Sequence, residues 1–179
     1  MYAVIGSKSR RTKEIIMSNF LVIVLIGFGA TAVMDLWSIV RKSLLGIPLP
    51  NYGMVGRWIT HMTHGQFRHN AIAKSRKVTG EHFIGWTAHY IIGAIFAALL
   101  ITIWGESWLH NPTITPALLV GIATVLAPFL IMQPGMGAGI AASKTQHPAS
   151  ARLQSLITHT IFGLGLYVSG WVVRLFYSI

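Results

Sequence analysis

The apolar positions of this chain neither alternate nor keep to one helical face. They run in four blocks of about twenty residues, the length a helix needs to cross a hydrocarbon core of about 30 Å at about 1.5 Å per residue. The first block, residues 19–40, reads NFLVIVLIGFGATAVMDLWSIV and stops at Arg41 and Lys42. The second covers residues 83–104 and ends at the polar turn Gly105, Glu106, Ser107. The third, residues 113–132, contains Pro116 and Pro128. The fourth, residues 153–176, carries Arg174 near enough to its end to snorkel into the headgroups. Backbone groups in lipid must be bonded within the chain, so each block is expected to be a helix. The expected fold is all-α: a polytopic membrane protein, a four-transmembrane-helix bundle with a long loop between helices one and two.

The connections are unequal. Trp108 to Pro112 join helices two and three so tightly that they must be antiparallel neighbours. The stretch after the third block begins QPGMGAGIAASK, whose Gly, Pro and Ala predict a close-packed turn or re-entrant segment. Residues 41–82 separate helices one and two. There IPLPNYG reads as extended chain and turn because of Pro48 and Pro50, and MVGRWITHMTH as a short interfacial helix with Trp58 at headgroup depth.

Composition agrees with lipid as the solvent. Only 10% of the residues are charged, against about a quarter in a soluble domain. Cysteine is absent, which excludes disulfides, thiol catalysis and thiolate metal sites. The formal charge of +10 sits in membrane-flanking segments with no recognition motif beside it, so the expected partner is the bilayer and not nucleic acid. A second copy of the chain or a larger membrane complex is the other partner class.

With four spans, the first and third connections share a side and hold nine basic residues: Arg41, Lys42, Arg57, Arg68, Lys74, Arg76, Lys77, Lys144 and Arg152. The other side holds five: Lys8, Arg10, Arg11, Lys13 and Arg174. The positive-inside rule therefore places the loops in the cytoplasm of a bacterial inner membrane and both termini outside. The basic tail, residues 1–18, argues the other way. A start at Met17, which would make the tail a non-native extension to a single membrane domain of residues 19–179, reconciles the two. A cleavable signal ending near Ala30-Thr31-Ala32 is the rival reading, although apolarity continues past it to Val40.

Polar side chains are expensive in hydrocarbon, so those inside the blocks mark the bundle interior. Helix one holds Asp35, helix two His89 and helix four His159, while Gln133 closes helix three. Antiparallel threading puts Asp35, His89 and His159 roughly 9 to 11 Å in from the loop-bearing face. Small residues recur on the same faces: Gly27 and Thr31 with Asp35, Gly85, Gly93 and Ala97 with His89, and Gly163 with His159. Two readings stay open. Asp35 bonds a histidine and merely fixes helix register, or the layer is a site that binds or passes a small ligand, metal ion or proton. No particular cofactor is indicated.

The first connection adds Arg57, His61, His64, His69, Glu81 and His82 as loop candidates. His61 and His64 share a helical face, as two metal ligands would, but no HExxH arrangement accompanies them. The glycines of QPGMGAGIAAS lack the Lys-Ser or Lys-Thr of a phosphate loop, and nothing orients Ser143 and Lys144 as a nucleophile and base.

Several strings in order carry a resemblance: GATAVMDLW, GIPLPNYGMVGRW, GQFRH, GEHFIGWTAHY, VLAPFLIMQPGMGAGIAAS and ARLQSLITHTIFGLGLY. From about Phe20 to Tyr167 the chain resembles an uncharacterised bacterial membrane family, domain of unknown function 2938. The family pattern falls on Asp35, Arg57, Trp58, His69, Glu81, His89, Gln133, Pro134 and His159. The resemblance implies a multi-span inner-membrane protein and no activity. Three function classes follow: a small membrane protein with a polar intramembrane site, a structural or assembly subunit of a larger complex, and a membrane-embedded lipid-modifying or redox enzyme.

Overall fold

The structure, a computed structural model, describes the backbone of residues 2–177 and the side chains of residues 19–176. The basic side chains Lys8, Arg10, Arg11 and Lys13 lie outside the described ones. Among the described residues there are helices and turns but no strand. Four stretches of the described residues are long and apolar enough to cross a membrane: Asn19–Leu45, Glu81–Trp104, Ile114–Met136 and Pro148–Phe176. They lie in helix α1 (Tyr2–Leu45), α3 (Glu81–Trp104), the composite third span, and α7 (Pro148–Tyr177). The third span opens with α5 (Ile114–Ala123), passes through a wide π-type turn at Pro128–Met132, and ends in α6 (Gln133–Met136). Pro128 lacks an N–H and interrupts the regular ladder there.

Lipid as the solvent explains where the apolar side chains point. In the most apolar window of each span the protein buries only 28% of the residues in the first two, 33% in the third and 44% in the fourth. Phe20, Leu36, Ile39, Phe83, Ile95, Leu119 and Leu130 are exposed. A water-soluble bundle would bury such a set, because leaving them wet forfeits about 1.5–3 kcal/mol each. The inner faces pack Val22, Ile26, Ala30, Leu100, Ala117, Val120, Phe162 and Leu166 into one core. Around it α1 lies against α3 and α7, while α5 lies against α7 and, less extensively, α3.

Close approach of backbones holds the ring together. A methyl group on Gly27 would overlap the backbone of Ala94, and one on Gly121 would overlap that of Gly163. Van der Waals packing is the main attraction between helices in lipid, so small residues at the crossings set its strength.

The connection between the first two spans is built around α2 (Tyr52–Met62), which overlaps the segment read as an interfacial helix but starts two residues earlier, taking in Tyr52 and Gly53 of the expected turn. It lies against the start of α3, where Gly56 touches the Glu81 carbonyl and Gly85 the Tyr52 carbonyl. Arg57 organises the chain that follows. Its guanidinium makes a two-pronged pair with Glu81, Nε to Oε2 at 2.9 Å and Nη2 to Oε1 at 2.8 Å. Nη1 donates to the carbonyls of Ile72 at 3.0 Å and Ser75 at 3.1 Å. Glu81 Oε2 also accepts the Val78 N–H. Trp58 then stacks on Gly135 of α6, and the His69 N–H donates to the Gly135 carbonyl at 2.9 Å. The first and third connections are thus fastened on one face of the bundle. On the opposite face Asn19 donates to Glu106, beside α4 (Ser107–His110).

Replacing Gly121 by Leu should force α5 from α7 and lower stability by about 1–3 kcal/mol or more. The lipid-facing Leu119→Ala should change it little. Thermal unfolding of both variants in one detergent checks the contrast.

Candidate functional site

Asp35 faces α3 on the same side of α1 as Thr31 and Gly27, where the helices come closest. Its carboxylate accepts from three side chains on two other elements. His89 Nε2 and the Tyr52 hydroxyl donate to Oδ1 at 3.0 and 3.2 Å, and the Tyr90 hydroxyl donates to Oδ2 at 3.1 Å. The Tyr52 ring stacks on His89 with centroids 4.1 Å apart, and Trp86 lies against Tyr52 at 4.6 Å. Burial, helped by the Asp35 carboxylate, pushes the Tyr52 phenol up, so the group stays protonated and donates.

The bond to Asp35 decides the tautomer of the imidazole. A carboxylate can only accept here, so Nε2 carries the hydrogen and Nδ1 of neutral His89 is a bare acceptor. No described side chain bonds that nitrogen, and it is not among the sealed polar atoms. The Asp35 and His89 side chains keep 17% and 13% of their surface accessible. The pair is therefore reachable, unlike the pair Arg57–Glu81.

His159 is buried on α7, and no hydrogen bond joins it to His89. Thr124 Oγ1 donates to the Gly121 carbonyl at 2.6 Å, so His159 Nδ1 must donate to Thr124 Oγ1, 2.9 Å away. That leaves Nε2 of His159 as a second bare acceptor. Gln133 is separate from both: its Oε1 is buried without a partner. Of the expected layer, the structure joins Asp35 and His89 directly, seats His159 on its own threonine, and gives Gln133 Oε1 no partner among the described residues. Among the described residues no three histidine or carboxylate side chains gather as metal ligands would.

The loop candidates separate in the same way. Arg57 and Glu81 saturate each other and the backbone around them. His61 pairs with His69, not His64: the His61 and His69 rings lie 5.0 Å apart, while His64 Nδ1 donates to the Thr60 carbonyl. Helical spacing alone put His61 beside His64, and the returning chain supplied a different neighbour. His61 Nε2 donates to the Arg76 carbonyl, and His69 Nδ1 lies 2.9 Å from Ser75 Oγ. His82 is exposed beside Gly53. Sequence reasoning missed Tyr52, Trp86 and Tyr90. The alternation of Trp86, His89 and Tyr90 around the turn of α3 next to Gly85 was the available signal.

The model of the family described as protein of unknown function (DUF2938) matches residues 24–173. The chain belongs to that family. The match takes in most of the first and fourth spans and all of the second and third, so the DUF2938 unit is the four-span body with α2 fastened to it. Neither the curated proteins nor the solved structures compared with it gave a match.

Removing one half of the buried pair strands the other, so Arg57→Ala should lower stability by about 3–5 kcal/mol, measured by unfolding in detergent. Tyr90→Phe should lower it by only about 1 kcal/mol. Burial, and secondarily the neighbouring His61, holds His69 below its usual value of about 6.5. The unfolded chain thus takes up a proton first as pH falls. Stability should be level with respect to His69 above about pH 6.5 and decline below it. His69→Gln should flatten that decline, which unfolding curves at several pH values would show.

Proposed function

We propose that this DUF2938 protein carries a polar intramembrane site in which His89, held by Asp35, binds or passes a proton or a small ligand that offers a hydrogen-bond donor. One observation carries the reading: His89 spends one nitrogen on a carboxylate and leaves the other as an accessible lone pair inside a membrane span. A carboxylate that orients an imidazole also stabilises the protonated ring, the arrangement a proton carrier needs. The unbonded nitrogen of His159 offers a second acceptor, on α7. Asp35 has three donors already, so its part is to position and charge-balance His89 and not to meet the ligand.

The nine basic residues of the first and third connections support a cytoplasmic loop face in a bacterial inner membrane. The described residues hold four spans, which favours assembly of copies if the ligand is to be carried across.

The test uses full-length protein, purified gently and also reconstituted in liposomes. Native mass spectrometry reads co-purifying small molecules, and an internal pH dye reads proton entry. His89→Gln and Asp35→Asn should remove the bound species or the proton flux at least tenfold while folded yield and Tm stay near those of the parent chain. Parallel loss of yield and of either signal would mean that the pair only fixes helix register.

A further inference from the structure

The first span holds a second polar feature, on a different face from Asp35. Arg41 is 8% exposed, and its Nε is buried with no hydrogen-bond partner. Among the described residues its guanidinium bonds only Gln154 on α7, through a long 3.4 Å contact from Nη1. The ion pairs among the described residues are Arg57 with Glu81 and His89 with Asp35, so neither acid neutralises Arg41. One helical turn earlier, the indole Nε1 of Trp37 is also buried without a partner. Residues four apart lie one above the other, so these two orphan donors share a face of α1, with Arg41 about 120° round the helix from Asp35.

A desolvated cation without a counter-charge is costly, and so is a sealed N–H without an acceptor. Both needs are met by one ligand with negative charge and several acceptor oxygens, entering past Arg41 Nη2, which is neither bonded nor sealed among the described residues. Depth narrows the choice: Arg41 ends the apolar run, Lys42 follows it exposed, and the span closes at Leu45, which is the headgroup level. Beside Gln154 the exposed Leu153, Leu156 and Ile157 of α7 offer an apolar strip for hydrocarbon chains.

We propose that Trp37 and Arg41, with Gln154 beside them, form a phosphate-binding subsite that holds the headgroup of an anionic phospholipid on the loop-bearing face. Guanidinium and phosphate match in charge and geometry, and the indole N–H supplies a further donor. The subsite is independent of the His89 reading and stands or falls on its own ligand.

Delipidated full-length protein in mild detergent is titrated with phosphatidylglycerol, phosphatidylcholine or inorganic phosphate, followed by native mass spectrometry and thermal unfolding. Phosphatidylglycerol should bind and raise Tm more than phosphatidylcholine, and inorganic phosphate should do little. Arg41→Gln should weaken phosphatidylglycerol binding about tenfold, the loss of one charge-assisted contact. Trp37→Phe, which keeps the ring and removes the N–H donor, should weaken it a few-fold. Arg152→Gln, an exposed charge on the same face, should leave it unchanged. Should Arg41→Gln fail to fold, Trp37→Phe and Arg41→Lys read the same contact. Equal phosphatidylglycerol binding by the parent chain and the Arg41 and Trp37 variants overturns the subsite. Inorganic phosphate binding as tightly as the lipid, and lost in Arg41→Gln, overturns the lipid assignment in favour of a soluble anion.

Discussion

Hydrocarbon supplies no hydrogen bonds, and that deficit governs this molecule from its secondary structure to its chemistry. Backbone groups are satisfied by helices, because nothing outside the chain can satisfy them. Side-chain polar groups must then find each other, which is why Asp35 collects three donors and why His159 takes Thr124. Since lipid is as apolar as leucine, helices cannot cohere by hiding leucines from it, and the crossings are set by glycine instead.

The four spans were legible because block length and apolarity answer directly to bilayer thickness. Their ends were less so: the first reaches Leu45 and the second begins at Glu81, past the points where charge and polarity drop the apolar run. Arg41 and Glu81 were therefore placed outside spans that include them. Shared depth brought Asp35 and His89 to one level, where a 3.0 Å contact joins them. Depth says nothing of azimuth, so it grouped Gln133 and His159 with them although each has its own surroundings.

What the sequence could not convey was the return of the first connection onto the bundle. Tyr52 stands seventeen positions from Asp35 in the chain, across a proline-rich turn, and only the lodging of α2 against Gly85 brings its hydroxyl to the carboxylate. Arg57 and Glu81 stood among the loop candidates of the first connection. Their contacts show a second use of charge, in which a guanidinium with five donors ties one helix end to the carbonyls of an irregular segment.

The Tyr52 contact has a mechanical meaning. At Gly56 and Gly85 helix α2 lies against α3 backbone to backbone with no side chain interposed, and Tyr52 extends that seat to the Asp35 carboxylate. A pull on α2 is therefore delivered to the half-buried acid with little slack, making this short helix a lever on the interior of the bundle.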